Sequence, residues 1–235
     1  MTRLGKSLAL GFGQLFDGAV LRILLKSLAV TLVIFVIVAF AGWNLLDWAL
    51  LSGGLEDDSF AGAGTLRGAL SLVLAIIGLW LVWRLVAMTV VQFFADEVVL
   101  AVERKHYPEE ASMARELSFA EQGRNAARSA LRALVFNLIA LPIALLLLVT
   151  GVGTFVVFWF VNALLLGREL QDMVWLRHQQ AQAESPPVGR GERFLLGGAI
   201  AGLLAVPFAN LLAPVLGAAS ATHLIHRNRR LQKAP

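Results

Sequence analysis

The sequence predicts an all-α integral membrane protein with two full transmembrane helices, two hairpins of short or half-penetrating helices, and an N-terminal amphipathic helix. Composition is the first reason, because 58% of the 235 residues are hydrophobic and only 15% are charged, against about 25% charged in soluble domains. The second reason is that the apolar residues form four blocks, two of them simple spans. The third is that proline, glycine and asparagine interrupt the last two blocks, which plain spanning helices avoid. We expect a single membrane domain over residues 1–235.

The N-terminal segment has the pattern of an amphipathic helix that lies in the membrane interface. Gln14 and Asp17 interrupt it, so its apolar core is too short for a cleaved signal peptide. Its large apolar side chains share one helical face: Leu4, Leu8, Phe12, Leu15 and Phe16.

Two apolar blocks, residues 27–46 and 68–94, are each long enough to cross the bilayer. Residues 103–132 follow the second span and are expected to form a cytoplasmic helical segment. Residues 227–235 form a basic tail at the end of the chain.

The third block, residues 133–166, is too long for one straight span of the ~30 Å hydrocarbon core. We expect it to turn back at the glycines Gly151 and Gly153 and so to form a hairpin. Asn137 and Asn162 lie inside this block. Each of them, like Asn210 in the fourth block, is expected either to cap the break or to hydrogen-bond across helices, because a polar group in lipid needs a partner, or to contact substrate.

The fourth block, residues 194–226, is interrupted by Pro207, Asn210 and Pro214. It is expected to form two short helices that meet at a non-helical break inside the membrane, the arrangement with which transporters bind ions at membrane depth. A free half-helix N-terminus at such a break favours anions. Because its halves are shorter than a usual span of about 20 residues, we favour half-penetration, although hydropathy does not decide the point.

Small residues at helical spacing indicate close helix packing in the fourth block. Gly198 and Gly202 form one such pair, and Gly217 with Ala221 forms another.

Basic residues flank the blocks on one side, whereas the loop between the two spans is acidic, so both termini are expected in the cytoplasm. The net charge of +4 therefore reflects membrane topology, and no nucleic-acid partner is expected. The residues that carry this argument are Arg3, Lys6, Arg22 and Lys26 before the first span, Asp47, Glu56, Asp57 and Asp58 in the loop, and Arg104, Lys105 and Arg115 after the second span.

Enzymatic motifs are missing from the sequence, which contains no H-E-x-x-H, no phosphate-binding glycine loop and no G-x-S-x-G. The protein is therefore not expected to be an enzyme, and no cofactor is expected. Cysteine is absent. His223 and His226 are spaced so that they could share a metal, but all four histidines lie on predicted aqueous flanks, and we expect no metal site. The sequence shows no series of buried acidic or histidine residues that would suggest a proton relay.

Arginines offer two candidate anion contacts. Arg84 is the one charge well inside a span, and it either snorkels to the interface or contacts an anion. Arg124, Arg128 and Arg132 form one stripe on the cytoplasmic segment. This stripe either contacts lipid headgroups or lines an electropositive vestibule.

Several motifs together resemble the CysZ sulfate permease family. The most specific is PFANLLAPVLGAASATHL over residues 207–224, which is similar to the closing signature of that family. Looser similarity extends over nearly the whole chain, in the segments LGFGQLFDGAVLR, FFADEVV and TGVGTFVVFWFVNALLLGRELQD. The resemblance implies a bacterial inner-membrane protein that takes up sulfate for cysteine synthesis and that forms homo-oligomers.

The family's sulfate site is associated with a Gly-Leu-Arg element before the first span. In this chain the element is Val20-Leu21-Arg22, so the arginine matches and the glycine does not, and Ile23 replaces a second arginine. Lys26, one helical turn further along, partly compensates for the missing charge of this second arginine. We expect the substrate-binding set to be Arg22, Lys26, Leu21, Asn210 and Arg84.

Two functions follow as hypotheses. The first is a permease for sulfate or a related oxyanion. The second is a non-transporting membrane scaffold that binds lipid or a protein partner through the basic residues of its cytoplasmic segment.

Overall fold

The structure is a computed structural model that describes residues 3–52, 63–179, 184–206 and 209–233. Every regular element in these ranges is helical, which confirms the predicted all-α class. Among the described residues, three helices are long and apolar enough to cross a membrane: Gly18–Gly42 within α2, then α5 and α6. The helices are α1 Arg3–Gln14, α2 Gly18–Ser52, α3 Ala63–His106, α4 Pro108–Ser112, α5 Phe119–Leu146, α6 Val152–Trp175, α7 Arg190–Leu204 and α8 Ala213–Lys233.

The chain divides into two compact units, one formed by Leu24–Phe93 and the other by Met1–Ile23 with Phe94–Pro235. The first unit contains the apolar parts of α2 and α3, and it includes the predicted span 27–46 and all of the predicted span 68–94 except Phe94. Within it, the rings of Phe35 and Trp83 meet edge to face with centroids 5.5 Å apart. Such pairs hold two helices together without polar groups.

In the second unit, α1 packs on α8 through its small and polar side. Ser7, Gly11 and Gln14 are buried, and a Cβ built on Gly11 would lie 2.1 Å from Ser220 Oγ. Phe12 of this helix is 56% exposed and Phe16, in the turn that follows it, is 76% exposed, whereas Leu15 of the predicted apolar face is buried. The helix is therefore amphipathic, as predicted, with large apolar side chains left for a membrane interface.

Helices α5 and α6 form the first predicted hairpin, and the turn between them lies at the predicted place. A 3₁₀ turn over Leu148–Thr150 ends at Gly151, whose φ of 65° is favourable for glycine. Thr150 Oγ1 then accepts a hydrogen bond of 2.9 Å from the Gly153 N–H. Both helices run beyond the apolar block into its polar flanks, and by length each is able to cross a membrane, so half-penetration stays a prediction.

Helices α7 and α8 form the second hairpin, which is broken between Leu204 and Ala213. A 3₁₀ turn over Ala209–Leu211 occupies part of the break. Pro214 is the second residue of α8, a position where a missing N–H costs no helical hydrogen bond. Pro207 lies outside the described residues.

Close packing of α6 on α7 depends on glycines, among them Gly198 of the expected pair, where an added Cβ would lie 2.8 Å from the Trp159 ring. A Cβ built on Gly197 would lie 2.0 Å from the Ala163 carbonyl oxygen, and one on Gly167 would lie 2.1 Å from that of Arg193. At Gly202 the nearest atom is 3.8 Å away, which is ordinary contact. Gly198 contacts Trp159, whose Nε1 donates to its carbonyl at 3.0 Å.

The two asparagines of the first hairpin satisfy their amide groups locally. Asn137 Nδ2 donates to the Ala133 carbonyl at 2.7 Å, and Asn162 Nδ2 donates to that of Phe158 at 2.8 Å. Both are exposed hydrogen bonds to the preceding turn of the same helix. They neither cap the turn nor bridge to another helix.

Candidate functional site

A buried carboxylate lies near the end of α3, in the unit that contains both hairpins. Glu103 follows the buried residues Val99 and Val102 on the packed face of the helix, and its side chain is 0% exposed. Its Oε1 atom accepts from His178 Nε2 at 2.8 Å and from His226 Nε2 at 3.0 Å. Three segments distant in sequence therefore meet at one oxygen atom: the end of α3, the turn after α6, and α8.

A cation completes the surroundings of this carboxylate. Arg177 Nη2 donates to Glu103 Oε2 at 3.3 Å. Burial alone would raise the pKa of Glu103, but the hydrogen bonds from His178 and His226 and the charge of Arg177 outweigh it and lower the pKa from 4.5 to about 2. Glu103 is therefore ionised at neutral pH.

A second pair, Tyr107 and His223, lies beside this carboxylate. The Tyr107 hydroxyl and His223 Nδ1 are hydrogen-bonded at 2.9 Å, and the ring of His106 lies 5.3 Å from that of His223. Burial lowers the pKa of His223 from 6.5 to about 4, so this imidazole is neutral at pH 7.

The histidines therefore correct the sequence prediction. They were expected on aqueous flanks, yet His178, His223 and His226 are 3%, 2% and 0% exposed, because three helical segments cover them. His223 and His226, whose spacing would allow a shared metal, have different hydrogen-bond partners: the Tyr107 hydroxyl and the Glu103 carboxylate. Nothing local in the sequence signals this site, because Glu103 is 75 and 123 residues away from His178 and His226.

Ion pairs at the edge of this site attach the basic tail to the short helix α4. Arg230 donates two hydrogen bonds to the carboxylate of Glu110, at 2.7 and 2.9 Å. Its guanidinium also lies 4.9 Å from the centre of the Tyr107 ring. The tail is thus part of the packed unit as far as Arg230.

A group of arginines lines open cavities between α5, α6 and α7. We call Arg128, Arg132, Arg168 and Arg193 the arginine cluster. A cavity of about 370 Å³ is lined by Arg128, Arg132 and Arg168. Its other lining residues are Leu131, Val135 and Phe136, so the lining contains no carboxylate. A smaller cavity of about 130 Å³ is lined by Arg132, Arg168 and Arg193 with one acid, Glu169.

The positive charge of the arginine cluster is balanced by acids in some places and not in others. Asp172 lies 3.6 Å from Arg132 Nη2 and 3.8 Å from Arg168 Nε, so part of their charge is balanced. A wider cleft of about 930 Å³ is lined by all four arginines of the cluster and also by several acids. Excess positive charge is therefore concentrated in the two smaller cavities, where it favours an anion.

The arginine stripe predicted from the sequence is brought only partly into this cluster. Arg128 and Arg132 line the cavities, whereas Arg124 is exposed on the same helix and lines none of the described cavities. Arg168 and Arg193 were not singled out by sequence reasoning, since each lies on a different helix.

The five expected substrate-binding residues lie in several parts of the structure. Leu21, Arg22 and Lys26 are exposed near the start of α2, and Asn210 is half-buried in the 3₁₀ turn of the second hairpin. Among the described residues, no hydrogen bond or ion pair joins Arg22 to Asn210. Arg84 lies on α3, but its side chain is outside the described part of the chain.

Comparison with known protein families gives one match. A sequence model of the family described as sulfate transporter CysZ/etoposide-induced protein 2.4 matches residues 7–214 of the 235-residue chain. No curated protein and no solved structure matches the chain. The match covers the first hairpin and extends through α7 to the start of α8, and it confirms the resemblance found in the sequence.

Proposed function

We infer the function from the family to which this chain belongs, that of sulfate transporter CysZ/etoposide-induced protein 2.4, and propose that the protein is a permease for sulfate or a related oxyanion. The bacterial inner membrane is its proposed location, with both termini in the cytoplasm and with a homo-oligomer as the working form. Sulfur assimilation is the process that such uptake would supply.

The arginine cluster is the observation that supports this proposal most directly. Guanidinium groups bind oxyanions through paired N–H donors in a planar fork, and four of them here come from three helices. The cavity lined by Arg128, Arg132 and Arg168 contains no competing carboxylate. An oxyanion is therefore the ligand that its charge favours.

Arg22 and Lys26 are proposed as the capture site. They are one turn apart and share a face of α2, and both are exposed. Leu21 accompanies Arg22 in the altered Gly-Leu-Arg element, while Asn210 and Arg84 are proposed to contact the anion farther along its route. Exposed cations raise the local concentration of an anion before it is desolvated.

The alternative role, a scaffold that binds lipid or protein, is supported by the first turns of α5. Arg124 and Arg128 are exposed there, and the ring of Phe119 is 93% exposed. Basic and aromatic side chains together are typical of a membrane-surface contact.

Uptake of radiolabelled sulfate into proteoliposomes separates these two functions. A permease gives saturable uptake above that of empty liposomes, and unlabelled sulfate competes with it. A scaffold gives no uptake from folded and correctly inserted protein. In that case, reversal of Arg124, Arg128 and Arg132 to glutamate is expected to abolish binding to vesicles that contain anionic lipid.

A further inference from the structure

Three side chains at the buried network have the composition of a metal site. Glu103 Oε1, His178 Nε2 and His226 Nε2 all lie within 4.8 Å of one another. The three side chains are at most 1% exposed. They come from three separate segments, so it is the fold that brings the donor atoms together at one point.

We propose that Glu103, His178 and His226 bind one divalent first-row metal ion, with Zn²⁺ as the reference metal. Two imidazole nitrogens and one carboxylate oxygen are a known donor set for this ion, and a water molecule takes the fourth position. None of the three residues lines the two smaller cavities of the arginine cluster, and the proposal does not depend on transport.

The distances are close to those that a metal requires. Ligand atoms around a tetrahedral Zn²⁺ with bonds of about 2.0–2.1 Å are about 3.3 Å apart. The separations of Glu103 Oε1 from the two Nε2 atoms are 2.8 and 3.0 Å. These two separations need to widen by only a few tenths of an ångström, while the two Nε2 atoms, which lie within 4.8 Å of each other, need to reach the same separation.

Both imidazoles already present the same nitrogen to the same oxygen. In the metal-free arrangement each Nε2 carries a proton and donates it to Glu103. When a metal binds at Nε2, each neutral ring keeps its single proton at Nδ1 instead. The Nδ1 atoms of His178 and His226 have no hydrogen-bond partner among the described residues, so no existing hydrogen bond opposes this change of tautomer.

Arg177 is the group that opposes metal binding, because its positive charge lies 3.3 Å from Glu103 Oε2. Its side chain is 17% exposed and lines two open clefts of about 930 and 470 Å³. These clefts give the guanidinium room to leave the carboxylate and give the ion and its water a route from solvent. The metal and Arg177 therefore compete for Glu103.

The test is a Zn²⁺ titration of tag-free protein in detergent, after treatment with a chelator. We expect one equivalent of Zn²⁺ per chain, and Co²⁺ in its place is expected to give the visible absorption bands of a tetrahedral site. Less than one-half equivalent bound by folded protein, with no cobalt bands, would overturn the proposal.

Variants locate the ion. His226→Gln and His178→Gln keep an N–H donor toward Glu103 but remove the imidazole ligand, and each is expected to weaken Zn²⁺ binding at least tenfold. His106→Gln is the matched control, because this exposed histidine bonds to Gln14 at 2.9 Å and is not a ligand. If both ligand variants bind Zn²⁺ as tightly as the control does, the ion lies elsewhere and the proposal is wrong.

Arg177→Gln distinguishes a metal site from a purely structural ion network, even if the histidine variants fold poorly. Removal of the competing charge is expected to tighten Zn²⁺ binding by about tenfold. A network without a metal predicts lower thermal stability in this variant and no gain in Zn²⁺ affinity. That second result would contradict the proposal.

Discussion

At the scale of single residues, Glu103 shows what a buried charge requires. A carboxylate that leaves water is stabilised only when donors and cations replace its hydration. Here two imidazole N–H groups share Oε1, and Arg177 bonds to Oε2. These contacts join α3, the turn after α6 and α8, so the charge also holds three segments in register.

Glu103→Gln should therefore destabilise the protein strongly. It removes the negative charge beside Arg177, and loss of one partner of a buried pair costs about 3–5 kcal/mol. Thermal unfolding in detergent, followed by tryptophan fluorescence, measures the effect. Glu110→Gln is the matched control, because its partner Arg230 is 52% exposed, and its cost should be below about 1 kcal/mol. Equal losses in the two variants would contradict this account.

The pH dependence of stability has two windows set by buried groups. The pKa of His223 is lowered by burial from 6.5 to about 4, so its contribution is complete above pH 6.5 and is lost as the pH falls toward 4. The pKa of Glu103 is lowered from 4.5 to about 2, so its contribution is lost below pH 4.5. The difference in unfolding free energy between wild type and Glu103→Gln should therefore shrink below pH 4.5, and a constant difference would contradict the assignment.

At the scale of residues, the sequence placed two arginines of the cluster on one helical face, but it misplaced the buried histidines. Arg128 and Arg132 share a helical face, so their spacing alone placed them together. His178 and His226 meet through Glu103, and no local pattern links positions separated by 75 and 123 residues. Burial of these rings is a property of the folded packing and not of any one segment.

At the scale of elements, the turn between α5 and α6 and the break between α7 and α8 could be predicted from the sequence, because glycine and proline restrict the backbone locally. Gly151 adopts a φ of 65°, which other residues rarely adopt, and Pro214 is the second residue of α8. The ends of helices were harder to predict. Hydropathy changes where a helix leaves an apolar region, but the helix itself ends where its backbone hydrogen bonds stop. Helix α5 runs through such a change, from its capping box at Ser118 and Glu121 to Leu146.

The packing of α6 on α7 provides an element-scale prediction. A Cβ built on Gly197 would lie 2.0 Å from the Ala163 carbonyl oxygen, so Gly197→Ala must push the helices apart, at a cost of about 1–3 kcal/mol. Gly202→Ala on the same helix meets only an ordinary contact at 3.8 Å. This control should gain about 0.5–1 kcal/mol from helix propensity.

Thermal unfolding of both glycine variants in the same detergent makes the comparison. A loss of stability in Gly197→Ala with a gain or no change in Gly202→Ala is expected. Stabilisation by both substitutions would mean that α6 and α7 are not in the close contact described.

At the scale of the whole molecule, composition was enough to predict the class, and family membership supports the transport function. Large apolar side chains remain exposed on the candidate membrane helices α2, α5 and α6, among them Phe40, Leu138 and Phe155. Such surfaces suit lipid or a second copy of the chain. The molar mass of the purified protein, corrected for detergent, tests the proposed homo-oligomer.

The candidate oxyanion site was only partly predictable at this scale. Sequence reasoning located one arginine stripe, but Arg168 and Arg193 join it only when α6 and α7 pack beside α5. Charge on a helix surface is visible in a sequence, whereas a cavity requires the neighbouring helices to be in place.

The most direct test of the permease proposal is the rate of sulfate uptake by a set of arginine variants in proteoliposomes. Arg132→Ala removes a guanidinium that lines the cavities, and Arg22→Ala removes the proposed capture site. We expect each to lower uptake at least tenfold, whereas Arg124→Ala, on the same helix as Arg132 but outside the described cavities, should retain at least half of the wild-type rate. Equal rates for Arg124→Ala and Arg132→Ala, or no uptake by wild-type protein, would contradict the account.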